Sequence, residues 1–379
     1  MNNFSFYNPT KIIFGKDSID KIGVELSCAK YERVLLLAGK GSIKKNGVYN
    51  QVTKSLQANG VSFVEMWGVQ PNPTLEKVRE TIIFARENKV DAILAVGGGS
   101  VIDSAKAISV GFYLEDVWQF MQRKEVAKQA LPLYTVLTMS ATGSEMNSGF
   151  VLTNTETKQK WGSGSNLLFP KVSIIDPAAQ FSLPWEQTVN GGLDAIAHIL
   201  EYYFVDSQAI ITRAVNKALM KTVIAMLDRL QTNPKDYSAR ANLAWSATMA
   251  LNGISGIGMN GGDWACHTIE HALSAIHPQI SHGAGLGVIF PAWIEYMALK
   301  DPERFADWFE AWGETNTITG LIAMRNKIRD WGSPVSLRDL CIHKDDLPTI
   351  VDKIMEFPVI GGMSKFKRED IEAILLLAY

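Results

Sequence analysis

Cysteine is scarce in this chain of 379 residues. Cys28, Cys266 and Cys341 are too few and too far apart for a disulfide framework or a paired CxxC metal site. Charge of one sign is not in excess either, because 37 Lys and Arg stand against 39 Asp and Glu, a formal net charge of −2. With no basic surplus, and with aromatics scattered rather than interleaved with basic residues, nucleic acid is not an expected partner. Long hydrophobic runs are missing. None approaches the ~18–20 residues needed to cross a bilayer, so no membrane partner is expected. The opening residues from Met1 to Tyr7 have neither the basic nor the apolar region of a secretory leader, and the expected location is a reducing cytoplasm. Internal repeats and low-complexity tracts are also lacking.

What is present is globular material, 47% hydrophobic and enough for a sizeable core. The length predicts about two domains at roughly 100–200 residues each. Up to about residue 180, short β-rich runs alternate with amphipathic stretches. Strands are expected at Arg33–Ala38, Val61–Met66, Ala92–Val96, Leu133–Thr138 and Val172–Ile175. A helix stripe runs through Leu75, Val78, Ile82 and Ala85. Alternating strands and helices imply a Rossmann-like parallel sheet with helices on its faces. Beyond Pro184 long helical patterns take over, including Ala209–Leu230, Ala239–Leu251 and Arg368–Ala378, with Asp301 and Pro302 opening another helix. The expected organisation is an α/β dinucleotide-binding domain, residues 1–182, followed by an all-α metal- and substrate-binding domain, residues 183–379.

Three turns in the first half carry candidate ligand chemistry. Gly97-Gly98-Gly99-Ser100 lies between a strand and a helix expected to begin at Val101, where free N–H groups and the positive dipole end favour a phosphate. It is not GxGxxG. Gly39-Lys40-Gly41-Ser42 also follows a strand, and Gly41 after the lysine excludes a Walker A loop. Thr138 to Glu145 gathers four hydroxyls around Gly143, which reads either as a site or as a turn satisfying its own backbone.

Histidine carries the sharpest signal. Four of the six fall at His267, His271, His277 and His282, while His343 reads as a solvated loop residue. His267 and His271 share a helix face at i and i+4, and so do Asp194 and His198. His267-Thr-Ile-Glu-His271 lacks the Glu of HExxH, which excludes a metalloprotease. Two helices each offering a pair would make a three-nitrogen, one-oxygen site for a divalent transition metal. Cys266 projects about 100° away from His267 and is read as structural.

In order along the chain, Gly97-Gly98-Gly99-Ser100-Val101-Ile102-Asp103, Ala141-Thr142-Gly143-Ser144-Glu145, Asp194-x3-His198, His267-x3-His271 and His282-Gly283 resemble the iron-containing (group III) alcohol dehydrogenases. The branch most similar is that of NADPH-dependent aldehyde reductases and butanol dehydrogenases. The resemblance implies the iron-dehydrogenase, dehydroquinate synthase-like fold and a homodimer. It assigns Asp194, His198, His267 and His282 as ligands of one divalent metal, Fe²⁺ or Zn²⁺. His277 is a rival for the fourth place, and His282 is favoured because it precedes Gly283 as the family ligand does. His271 matches a family histidine that contacts substrate or relays protons. Gly98, Gly99, Ser100 and Asp103 match the pyrophosphate loop. Thr138, Ser140, Ser144 and Lys160 match positions around the nicotinamide and its ribose. Gly39, Lys40, Gly41, Ser42 and Asn72 complete the expected cofactor contacts.

The implied activity is metal-dependent, NAD(P)H-linked interconversion of aldehydes and primary alcohols, in which the metal acts as Lewis acid and the nicotinamide as hydride donor in a cleft between the domains. NADP(H) is favoured over NAD(H). NAD-selective members carry an Asp after the first strand, where this chain has Gly39 and Lys40, with Ser42, Lys44 and Lys45 nearby. Alternatives on the same scaffold are a glycerol or diol dehydrogenase and a dehydroquinate synthase-like lyase. Residues 260–291 contain no Lys or Arg for a phosphorylated acidic sugar, which argues against the lyase. A non-catalytic protein that kept the fold should have lost a ligand or the glycine loop, and both are intact.

Overall fold

The structure is a computed structural model that describes residues 1–205 and 208–379. It divides into two compact units, Tyr7–Leu183 and Pro184–Tyr379, with Met1–Phe6 attached to the second. Counting those six residues with the α/β half departs from this arrangement. The Asn2 N–H donates to the Gly258 carbonyl at 2.9 Å, which ties the N-terminus to the helical unit.

In the first unit six strands form one parallel sheet. They are β1 (Lys11–Phe14), β2 (Val34–Ala38), β3 (Phe63–Met66), β4 (Ala92–Gly97), β5 (Leu133–Leu137) and, after a separate hairpin, β8 (Val172–Ile175). The spatial order is β1-β8-β5-β4-β2-β3. Strands β2, β4, β5 and β8 are buried along their whole length, as parallel strands covered on both faces must be. Helices Val48–Ala58, Leu75–Glu87 and Gly99–Gly111 supply crossovers. From β2 the chain runs outward to β3 in one direction and then through β4 and β5 in the other. The switch point therefore lies between β2 and β4, where ligands of open α/β sheets bind outside the carboxyl ends of the strands.

Two features escaped the sequence pattern. Edge strand β1 is four residues long and half exposed, too short for an alternation signal. The antiparallel hairpin of β6 (Gly149–Asn154) and β7 (Gln159–Gly164) pairs a short strand centred on Phe150–Thr153 with a second strand that carries Gly162 and Gly164 and has weak strand propensity.

In the second unit, among the described residues, every regular element is helical. The core is large and aromatic, with Trp293, Trp308 and Phe290 fully buried. Helix Trp185–Tyr203 packs against helices Ile210–Thr232 and His282–Ala298, and the latter also packs on helix Ala265–Ile276. Asp301 caps the short helix Pro302–Ala306 as expected, its side chain accepting from the Arg304 N–H. None of the described helices is long and apolar enough to cross a membrane.

Candidate metal centre

Helix Trp185–Tyr203 presents Asp194, His198 and Glu201 at i, i+4 and i+7, one inward-facing stripe. Helix Ala265–Ile276 brings His267, Glu270 and His271, and His282 opens helix His282–Ala298. What lets the third helix reach the first is Gly283. A Cβ there would stand 2.0 Å from the Asn190 carbonyl oxygen, one turn before Asp194. Only glycine permits that backbone approach.

The convergence is tight. Ligating atoms of Asp194, His267 and His282 all lie within 4.8 Å of one another. Around the single oxygen Oδ1 of Asp194 stand Nε2 of His282 at 3.5 Å, of His198 at 3.7 Å and of His267 at 3.9 Å. These spacings exceed good hydrogen bonds, yet they approach the ~3.4 Å separating two ligand atoms about 2.1 Å from one tetrahedral ion. Asp194 is 2% exposed and His267 6% exposed. Asp194 Oδ1 and His267 Nε2 are buried with no hydrogen-bond partner among the described residues. Buried polar atoms are normally paired, and two unpartnered ones beside the Nε2 atoms of His198 and His282 fit a divalent cation.

The electrostatics agree. Burial alone would raise the Asp194 carboxyl, but His198, His267 and His282 hold it down at about 2. Burial pushes His198 down to about 3, so it is a neutral imidazole with a lone pair to give. Burial would lower His267 too, but Asp194 and Glu201 outweigh it and raise the group to about 9. The carboxylates demand a positive charge where a cation would sit.

His271, 9% exposed, lies beside this set, its ring centroid 5.4 Å from that of His282 and 6.2 Å from that of His267. With Glu270 and His282 it forms a second close group that shares His282 with the first. His277 falls at the C-terminal end of its helix and belongs to neither group. Three residues that sequence reasoning passed over border the centre. Glu201 contacts the His267 imidazole and Glu270 that of His282. Their signals were available, since Glu201 continues the stripe of Asp194 and His198 and Glu270 sits between His267 and His271. Trp264 is the third, held at φ 63°, a left-handed conformation rare for a bulky residue. Its ring stands edge-on to His267 at 5.3 Å and Tyr202 at 5.5 Å. No sequence signal marks it.

In the α/β unit the candidate cofactor residues divide. The Gly39–Ser42 and Gly97–Ser100 turns follow β2 and β4 and so flank the switch point, and Thr138 follows β5 beside them. The helix after β4 starts at Gly99, with Gly98 as its cap, rather than at Val101. A Cβ on Gly99 would meet the Thr142 side chain at 2.6 Å, so this glycine serves close loop packing as well. Asp103 and Ser144 are engaged inwards. Ser144 Oγ donates to Asp103 Oδ1 at 2.6 Å and accepts from the fully buried Lys106 Nζ at 2.8 Å. Burial pushes that ammonium down to about 8, although Asp103 and Glu145 oppose the shift. Ser140 Oγ accepts from Gln180 Nε2 at 2.7 Å. Lys160 is buried in β7, and Asn72 is half-buried at φ 55° before helix Leu75–Glu87. Lys40 is exposed, while Lys44 Nζ lies 4.0 Å from the Trp67 ring centre.

The model of the iron-containing alcohol dehydrogenases matches residues 9–177, and that of the C-terminal region of the Fe-containing alcohol dehydrogenase family matches residues 188–379. The chain belongs to the iron-containing alcohol dehydrogenase family. Among its relatives, a probable NADH-dependent butanol dehydrogenase of Bacillus subtilis is 39% identical over 99% of both chains. The NADPH-dependent aldehyde reductase of Escherichia coli is 35% identical over 94% of both. The crystal structure of NADH-dependent butanol dehydrogenase A from Thermotoga maritima superposes with a TM-score of 0.97 at 48% identity, covering 100% of this chain and 99% of that one. Both halves of the iron-containing dehydrogenase architecture, the parallel sheet and the helical domain, are thus accounted for over the whole chain.

Proposed function

We propose that the protein is a metal-dependent, NAD(P)H-linked oxidoreductase that interconverts aldehydes and primary alcohols. The observation that carries this reading is one buried carboxylate oxygen ringed by three imidazole nitrogens at 3.5–3.9 Å, within an iron-containing dehydrogenase. Asp194, His198, His267 and His282 would hold one divalent ion, for which Fe²⁺ and Zn²⁺ both suit the donor set. When bound, the ion supplies Lewis acidity toward a carbonyl oxygen and the reduced nicotinamide supplies a hydride.

The residues do the rest. His271, next to the ligands yet outside their shared point, carries the proton to or from the substrate oxygen. The N-terminus of helix Gly99–Gly111 offers the Gly99 and Ser100 backbone to a pyrophosphate, with the Thr138–Ser144 loop beside it. Asp103 and Ser144 shape that loop from within, through the Lys106 network.

The cofactor preference proposed is NADPH. Relatives carry both names, since the butanol dehydrogenases are called NADH-dependent and the E. coli reductase NADPH-dependent. In this chain no carboxylate occupies the Gly39–Ser42 turn, and Lys40, Lys44 and Lys45 offer cations to a 2′-phosphate. A cytoplasmic homodimer is proposed on family likeness. The test is to incubate the protein with Zn²⁺ or Fe²⁺, each cofactor and a panel of aldehydes. Metal-dependent oxidation of NADPH with higher kcat/KM than NADH supports the reading. No turnover with any aldehyde defeats it, and equal efficiency with both cofactors defeats the preference.

A further inference from the structure

We infer that Glu201 and Glu270 are positioning residues that hold His267 and His282 by their outer nitrogens, fixing which nitrogen of each ring faces the metal. The inference rests on the metal reading above. Glu201 is fully buried, and its Oε1 meets His267 Nδ1 at 2.8 Å. The same oxygen accepts the His267 backbone N–H at 3.0 Å. That N–H belongs to the first turn of its helix, where backbone donors have no partner within the helix. One carboxylate thus anchors both the backbone and the ring of a ligand. Glu270, also fully buried, contacts His282 Nδ1 through Oε2. Its place is kept open by Gly285, where a Cβ would stand 2.9 Å from Glu270 Cγ.

With the proton on Nδ1 and directed to a carboxylate, the Nε2 lone pair is left for the ion, and the paired imidazole becomes a stronger donor. Both Nε2 atoms do face Asp194 Oδ1. His198 is the internal contrast, because its Nδ1 has no hydrogen-bond partner among the described residues. Two of the three imidazoles are therefore held from behind, each by a separate glutamate on a different helix.

The experiment uses the full chain, stripped of metal with a chelator and titrated with Zn²⁺ against a chromophoric competitor. Glu201→Gln and Glu270→Gln keep the shape of each side chain and remove its charge. Each variant is expected to bind Zn²⁺ roughly 10–100-fold more weakly. The visible absorption of the Co²⁺-loaded protein should shift, while the melting temperature of the metal-free protein stays within about 2 °C of wild type. Unchanged Zn²⁺ affinity and Co²⁺ spectrum in both variants overturn the inference. So does a weakening that only follows a lower metal-free melting temperature. Wild-type protein that takes up no metal defeats the proposed function itself, and the inference with it. Tight uptake by wild type with unaffected variants defeats the inference alone.

Discussion

The two candidate sites treat their polar side chains in opposite ways. In the helical unit, Asp194 Oδ1 and His267 Nε2 are buried and unpartnered, as atoms waiting for a cation are. In the α/β unit, Asp103, Ser140 and Ser144 spend their hydrogen bonds on Ser144, Gln180, Lys106 and the Val151 N–H. With those side chains engaged, the proposed cofactor contacts in that unit lean on backbone at strand ends and the N-terminus of helix Gly99–Gly111, with Lys40 at the rim. A side-chain site depends on the identity of each ligand, whereas a backbone site depends on how closely loops approach. The same distinction says which substitutions should be severe.

The largest effect is expected at a proposed metal ligand. His267→Ala should remove the metal and lower turnover by roughly three orders of magnitude, the scale of losing a principal charge stabiliser. Nicotinamide binding, proposed for the other unit, should persist. Metal analysis and cofactor fluorescence on the same preparation check both halves, and full metal occupancy would remove His267 from the ligand set.

Next comes His271→Ala, which should retain metal and lose about 10²–10⁴-fold in kcat, the range of a general acid–base group. Loss of metal instead would make His271 a ligand and shift the centre toward the Glu270–His271–His282 group.

Two glycine substitutions sharpen the comparison directly. Gly283→Ala forces a Cβ onto backbone, the Asn190 carbonyl, whereas Gly99→Ala forces one onto the Thr142 side chain. Overpacking costs about 1–3 kcal/mol, and the clash at Gly283 should lie at the upper end because it is closer and falls on backbone rather than on a side chain. Thermal melting should show the larger fall for Gly283→Ala, with weakened metal binding. Gly99→Ala should chiefly raise the KM for cofactor. A reversed order would mean the glycine loop, and not the helix crossing, is the tighter joint.

The smallest expected effect is at the rim of the cofactor turn. Lys40→Asp should weaken NADPH binding more than NADH binding by about 1 kcal/mol, roughly fivefold, since exposed charges act through solvent. The difference should shrink between low and high salt. Titration of both cofactors at two ionic strengths decides it.

Much of this molecule is legible in the sequence for definite reasons. Fully apolar runs such as Val34–Ala38 and Ala92–Val96, each only five residues long and followed by glycine, fit buried parallel strands, so the sheet and its glycine turns followed from pattern. Period-four spacing put Asp194 with His198, and His267 with His271, on helix faces before any contact was known. The hairpin of β6 and β7 was less legible, because Phe150–Thr153 is a very short strand signal and its partner β7, with Gly162 and Gly164, has weak strand propensity.

The sequence by itself determined the inventory: an α/β half with glycine turns at strand ends, a helical half, and one carboxylate and several imidazoles at helical spacing. Tertiary structure alone decided their partners. It drew His282 rather than His277 to Asp194 through the Gly283 crossing. It turned Asp103 and Ser144 inward onto Lys106, and set Glu201 and Glu270 behind two of the imidazoles. Spacing along a chain fixes which side chains share a face of one helix. Which faces meet depends on how closely separate backbones can approach, and here one missing Cβ governs that.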